Sequence, residues 1–415
     1  MLVTRREAIS TAWAAAALVS VGLAGCSNGG QQEASQTEAS PSRPEQSEPS
    51  TEASSPYQTT TQPSSSVTEL VAAMSLEHKV AQLFMITPEQ LTGVGQVVAA
   101  GESTRVAITA MPVGGLIYNT ANLIDPDQLK TMLTNTRQYS LQVGANIGAF
   151  LAIDEEGGSV ARLANAEGFE VQTFGDTASL GADPEAAANQ GRVIGTYLRD
   201  YGFNLDFAPV ADVLTNPENT VIGARAFSSD AQQVADCVVA ELGGLREAGC
   251  VSCVKHFPGH GDTAEDSHLG AAVSNRTLAD FEACEYVPFK AAIAAGVPMV
   301  MIGHISLPQV LSDDVPASLS SQIITDELRG KMGYDGVVIS DSFQMEAITD
   351  YYSSDEAAIN FINAGGDIVL MPEDFETAYQ AVLMAAREGR IPIERVDESV
   401  RRILAVKEAV GLLTV

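Results

Sequence analysis

The sequence predicts an α/β fold, a single (β/α)8 barrel, and three observations lead to it. Eight short apolar runs alternate with amphipathic stretches between residue 67 and the C-terminus. Most runs lack polar alternation, which is typical of parallel strands buried on both faces. No glycine-rich phosphate turn follows the first run, which argues against a doubly wound sheet. Eight strand–helix units therefore favour a TIM-type barrel.

The apolar runs and the segments between them define the elements of this barrel. Asp125 is a good N-cap for a helix over 126–141, and Thr277 and Asp280 have capping-box spacing before a helix over 278–295. Further helices are predicted over 231–248, 376–388 and 393–410. The predicted strands are 83–87, 115–119, 149–153, 205–209, 251–255, 299–303, 337–340 and 368–371.

The N-terminus has the features of an export signal. Arg5 and Arg6 precede an apolar stretch, 12–23, that is too short to span a bilayer. The stretch leads into Leu-Ala-Gly-Cys ending at Cys26, which resembles a bacterial lipobox. The resemblance implies a signal peptide over 1–25 and lipid on the Cys26 thiol. A plain secretory signal with an incidental cysteine stays open, as does the choice between Sec and twin-arginine export.

The next segment, 26–66, is predicted to be a disordered tether. It consists almost entirely of Ser, Thr, Gln, Glu, Pro, Gly and Ala without apolar periodicity. Such a composition cannot bury enough apolar surface to offset the entropy of ordering. The folded domain is therefore predicted over 67–415, in a lipoprotein that faces the exterior of the cell envelope.

The charge of the chain limits its partners. With 23 Lys+Arg against 53 Asp+Glu, the formal net charge is −30, and no basic cluster occurs. A protein that neutralises phosphates needs clustered Lys and Arg, so nucleic acid is excluded as a partner. We expect a monomer without a cofactor or metal, whose acidity keeps it soluble.

Four cysteines follow Cys26, namely Cys237, Cys250, Cys253 and Cys284. Export would permit oxidation, but the pairing cannot be deduced from sequence. A single CxxC spacing without a second pair argues against a zinc ribbon. Buried free thiols and one disulfide both remain open.

Charged residues end several apolar runs. Asp154 follows the third run, Lys255 and His256 end the fifth, and His304 and Asp341 follow the sixth and seventh. The active sites of such barrels lie at the C-terminal ends of the strands. The pattern therefore predicts a catalytic site there.

The most specific stretch follows the fifth run and reads KHFPGHGDTAEDSH over 255–268. Asp266 precedes His268 by two residues, so in an extended loop both side chains face one side. A carboxylate beside an imidazole orients the ring and stabilises its protonated form, as a general acid/base requires.

These motifs together resemble glycoside hydrolase family 3, specifically its β-N-acetylglucosaminidase branch. Further matches are IDEEGG at 153–158, NLDFAPV at 204–210, IGARAF at 222–227 and ISDSFQME at 339–346. The resemblance covers about 83–371. It implies hydrolysis of terminal β-linked N-acetylglucosamine from peptidoglycan-derived or related glycans, including muropeptides, with retained anomeric configuration.

The resemblance also assigns roles to residues. Asp341 matches the catalytic nucleophile, His268 the acid/base, and Asp266 the partner of that histidine. The residues that match contacts to the terminal sugar are Asp154, Arg162, Arg225, Lys255 and His256. His260 and His304 rank below these contacts, and Asp206 and Asp212 are interpreted as supports of a loop, outside the site.

Two departures from the family pattern occur in the loop after the third run. Glu155 stands where many relatives have Gln, and Ser159 where many have Arg, which puts fine substrate contacts in doubt. The stretch 88–111 is longer than a connection requires. A lid, a partner surface and an insertion without a role all remain open, and we favour the last.

Three alternative functions remain. A metal-dependent hydrolase would use His256, His260, His268, His304 and Asp341, since barrels bind zinc through such strand-end residues. A non-catalytic, glycan-binding envelope lipoprotein is the second. The third is transfer of the sugar to phosphate in place of water.

Overall fold

The computed structural model describes residues 64–142, 146–263, 272–313 and 315–413. Eight parallel strands form one sheet in which chain order is also spatial order. They are β1 (Phe84–Ile86), β2 (Gly115–Ile117), β3 (Phe150–Ile153), β4 (Leu205–Asp206), β5 (Val251–Phe257), β6 (Met299–Ile302), β7 (Val337–Ser340) and β8 (Val369–Leu370).

The sheet closes on itself between β7 and β8. Ile339 forms a parallel bridge with Ile368, and the N–H of Ser340 donates to the carbonyl of Ile368 at 3.0 Å. Each other neighbouring pair of strands is also parallel. The predicted barrel is confirmed, and all eight strands lie within the predicted runs or overlap them.

The interior of the barrel is apolar and its N-terminal end is closed. Side chains from every strand form one buried cluster, which includes Met85, Phe150 and Met299. Ile403, Val406 and Leu412 belong to the same cluster, so the final helix and the turn after it cover the N-terminal end. The open end is therefore the one at which the strands end, where barrel enzymes carry their sites.

Helices surround the barrel. The α-helices are Ser65–Ala73, Leu76–Gln82, Pro88–Thr92, Glu102–Ala110, Pro126–Gln142, Pro184–Tyr201, Ala231–Glu247, Leu278–Ala283, Tyr286–Ala294, Glu346–Thr349, Ser354–Asn363, Phe375–Arg387 and Ile393–Ala409. A π-helical segment spans Gln322–Lys331. Asp125 accepts from the N–H of Gln128 at 2.9 Å, and Thr277 and Asp280 form the predicted capping box.

The helix predicted over 278–295 is wrong as one continuous element, because it is interrupted at Cys284 and Glu285. Pro288 explains the interruption. A continuous helix would require its missing N–H to bond the carbonyl of Cys284, against which the ring would also clash. In the structure Pro288 lies in the first turn of the second helix, where no such bond is needed.

The remaining sequence predictions concern the N-terminal segment, the cysteines and the relation to a membrane. Cys26, the signal peptide and the tether up to residue 63 lie outside the described residues. The first described helix begins at Ser65, and the hydroxyls of Ser64 and Ser66 both donate to Glu408. Cys237, Cys250, Cys253 and Cys284 are free thiols. None of the helices within the described ranges is both long and apolar enough to cross a membrane.

Candidate active site

The predicted sugar-contact residues converge at the open end of the barrel. Asp154 directly follows β3, and Lys255 and His256 lie in the C-terminal part of β5, near the open end. Arg225 lies in a 3₁₀ segment, Gly223–Arg225, in the long connection after β4. Although 101 residues separate Lys255 from Asp154, its Nζ donates to Asp154 Oδ1 at 2.8 Å.

Lys255 also pairs with a carboxylate that the sequence interpretation did not select. Its Nζ lies 2.5 Å from Glu156 Oε1. Arg225 donates two hydrogen bonds to the same carboxylate, from Nε to Oε2 and from Nη2 to Oε1, both at 2.8 Å. Such a two-pronged contact fixes the guanidinium plane. Glu156 is thus the common anchor of two cations, and it belongs to the site.

The charges in this cluster reinforce one another. Burial alone would raise the pKa of Glu156, but Lys255 and Arg225 outweigh it and hold that pKa well below its ordinary value. Burial would conversely lower the pKa of Lys255, yet Asp154 and Glu156 raise it. Lys255 therefore stays an ammonium although it is 2 % exposed.

His256 is held by Asp212, which the sequence interpretation wrongly placed outside the site. Nδ1 of His256 lies 2.7 Å from Asp212 Oδ2, while Asp212 Oδ1 accepts the backbone N–H of His260 at 2.6 Å. Nε2 of His256 faces Nη2 of Arg225 at 3.5 Å. The sequence could not show this contact because 44 residues separate the two partners.

Asp341 follows β7 and is partly exposed at the open end. Its N–H donates to the carbonyl of Ile302 at 2.9 Å, and its Oδ1 accepts the N–H of Ser342 at 2.8 Å. Burial alone would raise the pKa of Asp341, but the Ser342 N–H and the nearby Lys255 ammonium are among the groups that lower it. The side chain is therefore a carboxylate at neutral pH.

The other two described histidines near the site have supporting positions. His304 is buried, with Nδ1 2.8 Å from the Ser318 hydroxyl and Nε2 3.0 Å from the Ser342 carbonyl, so it holds the turn after Asp341. His260 is also buried, and burial lowers its pKa. Within the described ranges, no group of three or more His, Cys, Asp or Glu side chains is arranged to hold a metal ion.

Arg162 and Glu155 have different surroundings in the loop after β3. The Nε of Arg162 is buried and has no hydrogen-bond partner among the described residues, as expected of a donor that awaits a ligand. Glu155 is fully buried and accepts from Tyr197 at 2.8 Å and from the N–H groups of Leu163 and Ala164. It therefore anchors the loop, and its difference from relatives lies outside the sugar contacts.

Two predicted catalytic residues cannot be placed. His268 and Asp266 lie outside the described residues. Asp206, which the sequence interpretation excluded, is fully buried at the end of β4 and accepts the N–H of Glu155 at 3.0 Å. It supports the loop after β3, whereas the sequence interpretation made it a support of the loop after the fourth strand.

Comparison with known proteins identifies relatives of this chain. Residues 75–406 match the family model of the glycosyl hydrolase family 3 N-terminal domain. Beta-hexosaminidase A of Pseudoalteromonas piscicida is 32% identical, over 73% of this chain and 56% of its own length. Beta-hexosaminidase LpqI of Mycobacterium tuberculosis is 32% identical, over 81% of this chain and 84% of its own.

Among solved structures, this chain is similar to a family 3 β-N-acetylglucosaminidase from Paenibacillus sp. str. FPU-7. The TM-score is 0.76 at 38% identity, over 82% of this chain and 63% of that one. The chain therefore spans less than two thirds of the Pseudoalteromonas and Paenibacillus proteins but most of the Mycobacterium one.

Proposed function

The chain belongs to glycoside hydrolase family 3, and we propose that it is a retaining exo-β-N-acetylglucosaminidase. Its substrates are glycans, peptidoglycan-derived or related, that end in β-linked N-acetylglucosamine. The observation that carries the proposal is an ionised Asp341 at the open end of the barrel, beside a buried cluster of sugar-binding groups. The relatives named hexosaminidase or β-N-acetylglucosaminidase support the choice of sugar.

Asp341 has the properties of a nucleophile. Ser342 occupies one carboxylate oxygen through its N–H, and among the described residues no hydrogen bond reaches the other. That oxygen attacks the anomeric carbon, and the bond to the leaving oxygen breaks as His268 protonates it. Water, deprotonated by His268, then displaces the Asp341 ester, so two inversions retain the configuration.

The acid/base role of His268 rests on its sequence context. Asp266 lies two residues before it, and a carboxylate partner stabilises the protonated ring that donates the proton. Of the other two histidines of the motif, His260 is buried with its Nδ1 2.8 Å from the Thr263 hydroxyl, and the family resemblance assigns His256 to the sugar contacts.

The remaining site residues bind the terminal sugar. Asp154 is 21% exposed at its side chain, and its carboxylate accepts sugar hydroxyl protons while Lys255 donates to hydroxyl oxygens. Arg162 and Arg225 present planar donors to the hydroxyls and the N-acetyl carbonyl. Since these groups surround one sugar ring, they favour removal of a terminal residue over cleavage within a chain.

The proposal is tested with an aryl β-N-acetylglucosaminide. Wild type should release the aryl group, and Asp341→Ala should lose this activity while keeping its melting temperature. Asp350→Asn, an exposed carboxylate on the same connection, is the matched control and should remain active. A fully active Asp341→Ala would remove that residue from its role.

The same assay separates the alternative functions. An aryl β-glucoside tests the choice of sugar, exhaustive chelation tests metal dependence, and added phosphate tests transfer to phosphate by yielding a sugar phosphate. A 5-fluoro-N-acetylglucosaminyl fluoride should trap the ester, so that the mass of the peptide containing Asp341 rises by one sugar residue. Absence of any release by folded protein would favour the glycan-binding interpretation.

We also propose that the protein is exported and anchored to the membrane through lipid on Cys26, with the catalytic domain beginning near residue 67. The lipobox-like sequence that ends at Cys26 supports this proposal. Labelled palmitate should enter the wild-type protein and not Cys26→Ser, and that variant should leave the membrane fraction. Labelling of Cys26→Ser would contradict the assignment.

A further inference from the structure

We infer that Asp212 is a positioning residue that keeps the proton of His256 on Nδ1, so that Nε2 presents its lone pair to Arg225 and holds that guanidinium in the sugar-binding cluster. The inference deepens the proposed function and rests on it for the identity of the ligand. It depends on three contacts around one imidazole ring.

The first contact fixes one nitrogen as a donor. Asp212 is fully buried, and burial alone would raise its pKa, but the hydrogen bonds it accepts from the His256 ring and the His260 N–H lower it. The carboxylate is therefore ionised and can only accept. Since Nδ1 of His256 lies 2.7 Å from Asp212 Oδ2, that nitrogen carries the proton.

The second contact fixes the other nitrogen as an acceptor. Nε2 of His256 faces Nη2 of Arg225 at 3.5 Å. Nε and Nη2 of Arg225 already bind Glu156, and Nη1 donates to the carbonyl of Val221 at 3.2 Å. A guanidinium has donors alone, so a proton on Nε2 would set two donors against each other. A lone pair on Nε2 avoids that conflict, because it accepts the N–H of Nη2 that Glu156 does not bind, and so helps to hold the guanidinium in place.

The third contact decides what an amide at position 212 would do. Asp212 Oδ1 accepts two backbone N–H groups, from His260 at 2.6 Å and from His256 at 3.3 Å. Those donors cannot change, so in Asp212→Asn the amide oxygen must stay on them. The NH2 group then faces Nδ1 of His256, and the imidazole can respond only by moving its proton to Nε2.

Because the tautomer changes, Asp212→Asn is predicted to impair activity at least as much as Asp212→Ala. Asp212→Asn keeps the size and the backbone acceptor but forces a donor toward Arg225. We expect its kcat/KM to fall about 10- to 100-fold, the range for an unsatisfied buried polar group. Asp212→Ala leaves the ring free to choose its tautomer, so its kcat/KM should fall no further than that of Asp212→Asn. A purely structural role predicts the opposite order, with Asp212→Asn nearly wild type.

Asp206→Asn is the matched control. Asp206 is also buried, lies six residues earlier in the chain and carries a carboxyl that accepts a backbone N–H, that of Glu155 in the loop after β3. Burial, with a nearby carboxylate, raises its pKa well above the ordinary value, so loss of the charge should cost less there than at position 212. Its activity should stay within about twofold of wild type.

Two further measurements complete the test. In a His256→Ala background, Asp212→Asn should change kcat/KM less than threefold, because the ring through which it acts is gone. Long-range ¹H–¹⁵N spectra of histidine-labelled protein, with His256 assigned by its loss in His256→Ala, should show protonated Nδ1 and unprotonated Nε2 in wild type. Asp212→Asn should show the reverse.

The outcomes separate this inference from the proposed function. A wild-type His256 protonated on Nε2, or on both nitrogens at the pH of the assay, would overturn the inference. Full additivity of Asp212→Asn with His256→Ala would do the same. If wild type released no aryl group at all, the proposed function would fail, while the spectra would still decide the tautomer.

Discussion

Glu156 provides the sharpest test of how the site is assembled, through the substitution Glu156→Gln. The wild-type carboxylate receives three close contacts, from Lys255 at 2.5 Å and from two donors of Arg225 at 2.8 Å each. An amide preserves its shape and can still accept from Arg225, but its NH2 group meets the Lys255 ammonium. The substitution therefore removes the negative charge while the protein retains both cations.

The expected size of the effect follows from burial. Glu156 is 3% exposed, and loss of one partner from a buried ion pair costs about 3–5 kcal/mol. Because Lys255 keeps its contact with Asp154 and Arg225 keeps an acceptor, we expect the lower end, about 3 kcal/mol. For a domain of this length that corresponds to a fall in Tm of about 4 °C. Displaced Lys255 and Arg225 donors should also reduce kcat/KM at least about tenfold.

The assay is thermal unfolding together with kinetics on the aryl substrate. Glu102→Gln is the control, since Glu102 also binds an arginine through two contacts, but on the surface. Its melting temperature and activity should match wild type because exposed pairs contribute little. A Glu156→Gln protein that melts and turns over like wild type would refute the view that Glu156 holds the two cations.

Three further substitutions test other parts of the fold. Burial raises the pKa of Glu241 to about 8, against an ordinary 4.5, so its stabilising contribution is lost as pH rises toward that value. Glu241→Gln should therefore melt above wild type at pH 9 but not at pH 4, and identical pH dependence would contradict this. Three arginines hold the pKa of buried Asp367 below 3.8. Asp367→Asn should thus melt lower at pH 7, and the gap should close on acidification, whereas a gap that persists in acid would count against the ion pairs. In Gly261→Ala the new Cβ would lie 1.9 Å from the Val213 carbonyl oxygen, so stability and activity should both fall. Gly243→Ala is the control and should not destabilise the protein, because a Cβ there meets no atom within 4 Å. Equal melting temperatures of the two variants would disprove the clash.

The strands were predictable because most of them are short, largely apolar runs. A barrel strand is covered on both faces, so it is apolar along its length and can be recognised without knowledge of its neighbouring strands. The site residues at strand ends, such as Asp154, Lys255 and Asp341, were predictable for a related reason. Each ends an apolar run, and the fold brings all strand ends to one face.

Residues on the connections were harder to interpret, as Asp212 illustrates. It lies in the connection after β4, away from any strand end, and its partner is 44 residues later in the chain. Nothing in the local pattern distinguishes it from Asp206, although one residue orients a ring in the site and the other supports a buried N–H. Only the three-dimensional register of β4 and β5 separates the two roles.

Glu155 and Glu156 show that part of the missing information was present in the sequence. In extended chain, alternate side chains point to opposite faces, so Asp154 and Glu156 share a face and Glu155 points away. The structure follows this rule, because Asp154 and Glu156 both bind Lys255 while Glu155 binds Tyr197. The two neighbouring glutamates consequently have opposite shifts, since burial raises the pKa of Glu155 and the two cations lower that of Glu156. A carboxylate two residues after a strand-end aspartate should therefore be included in a candidate site when a lysine and an arginine are also predicted at the open end of the barrel. Those cations need an anionic partner if they are buried there.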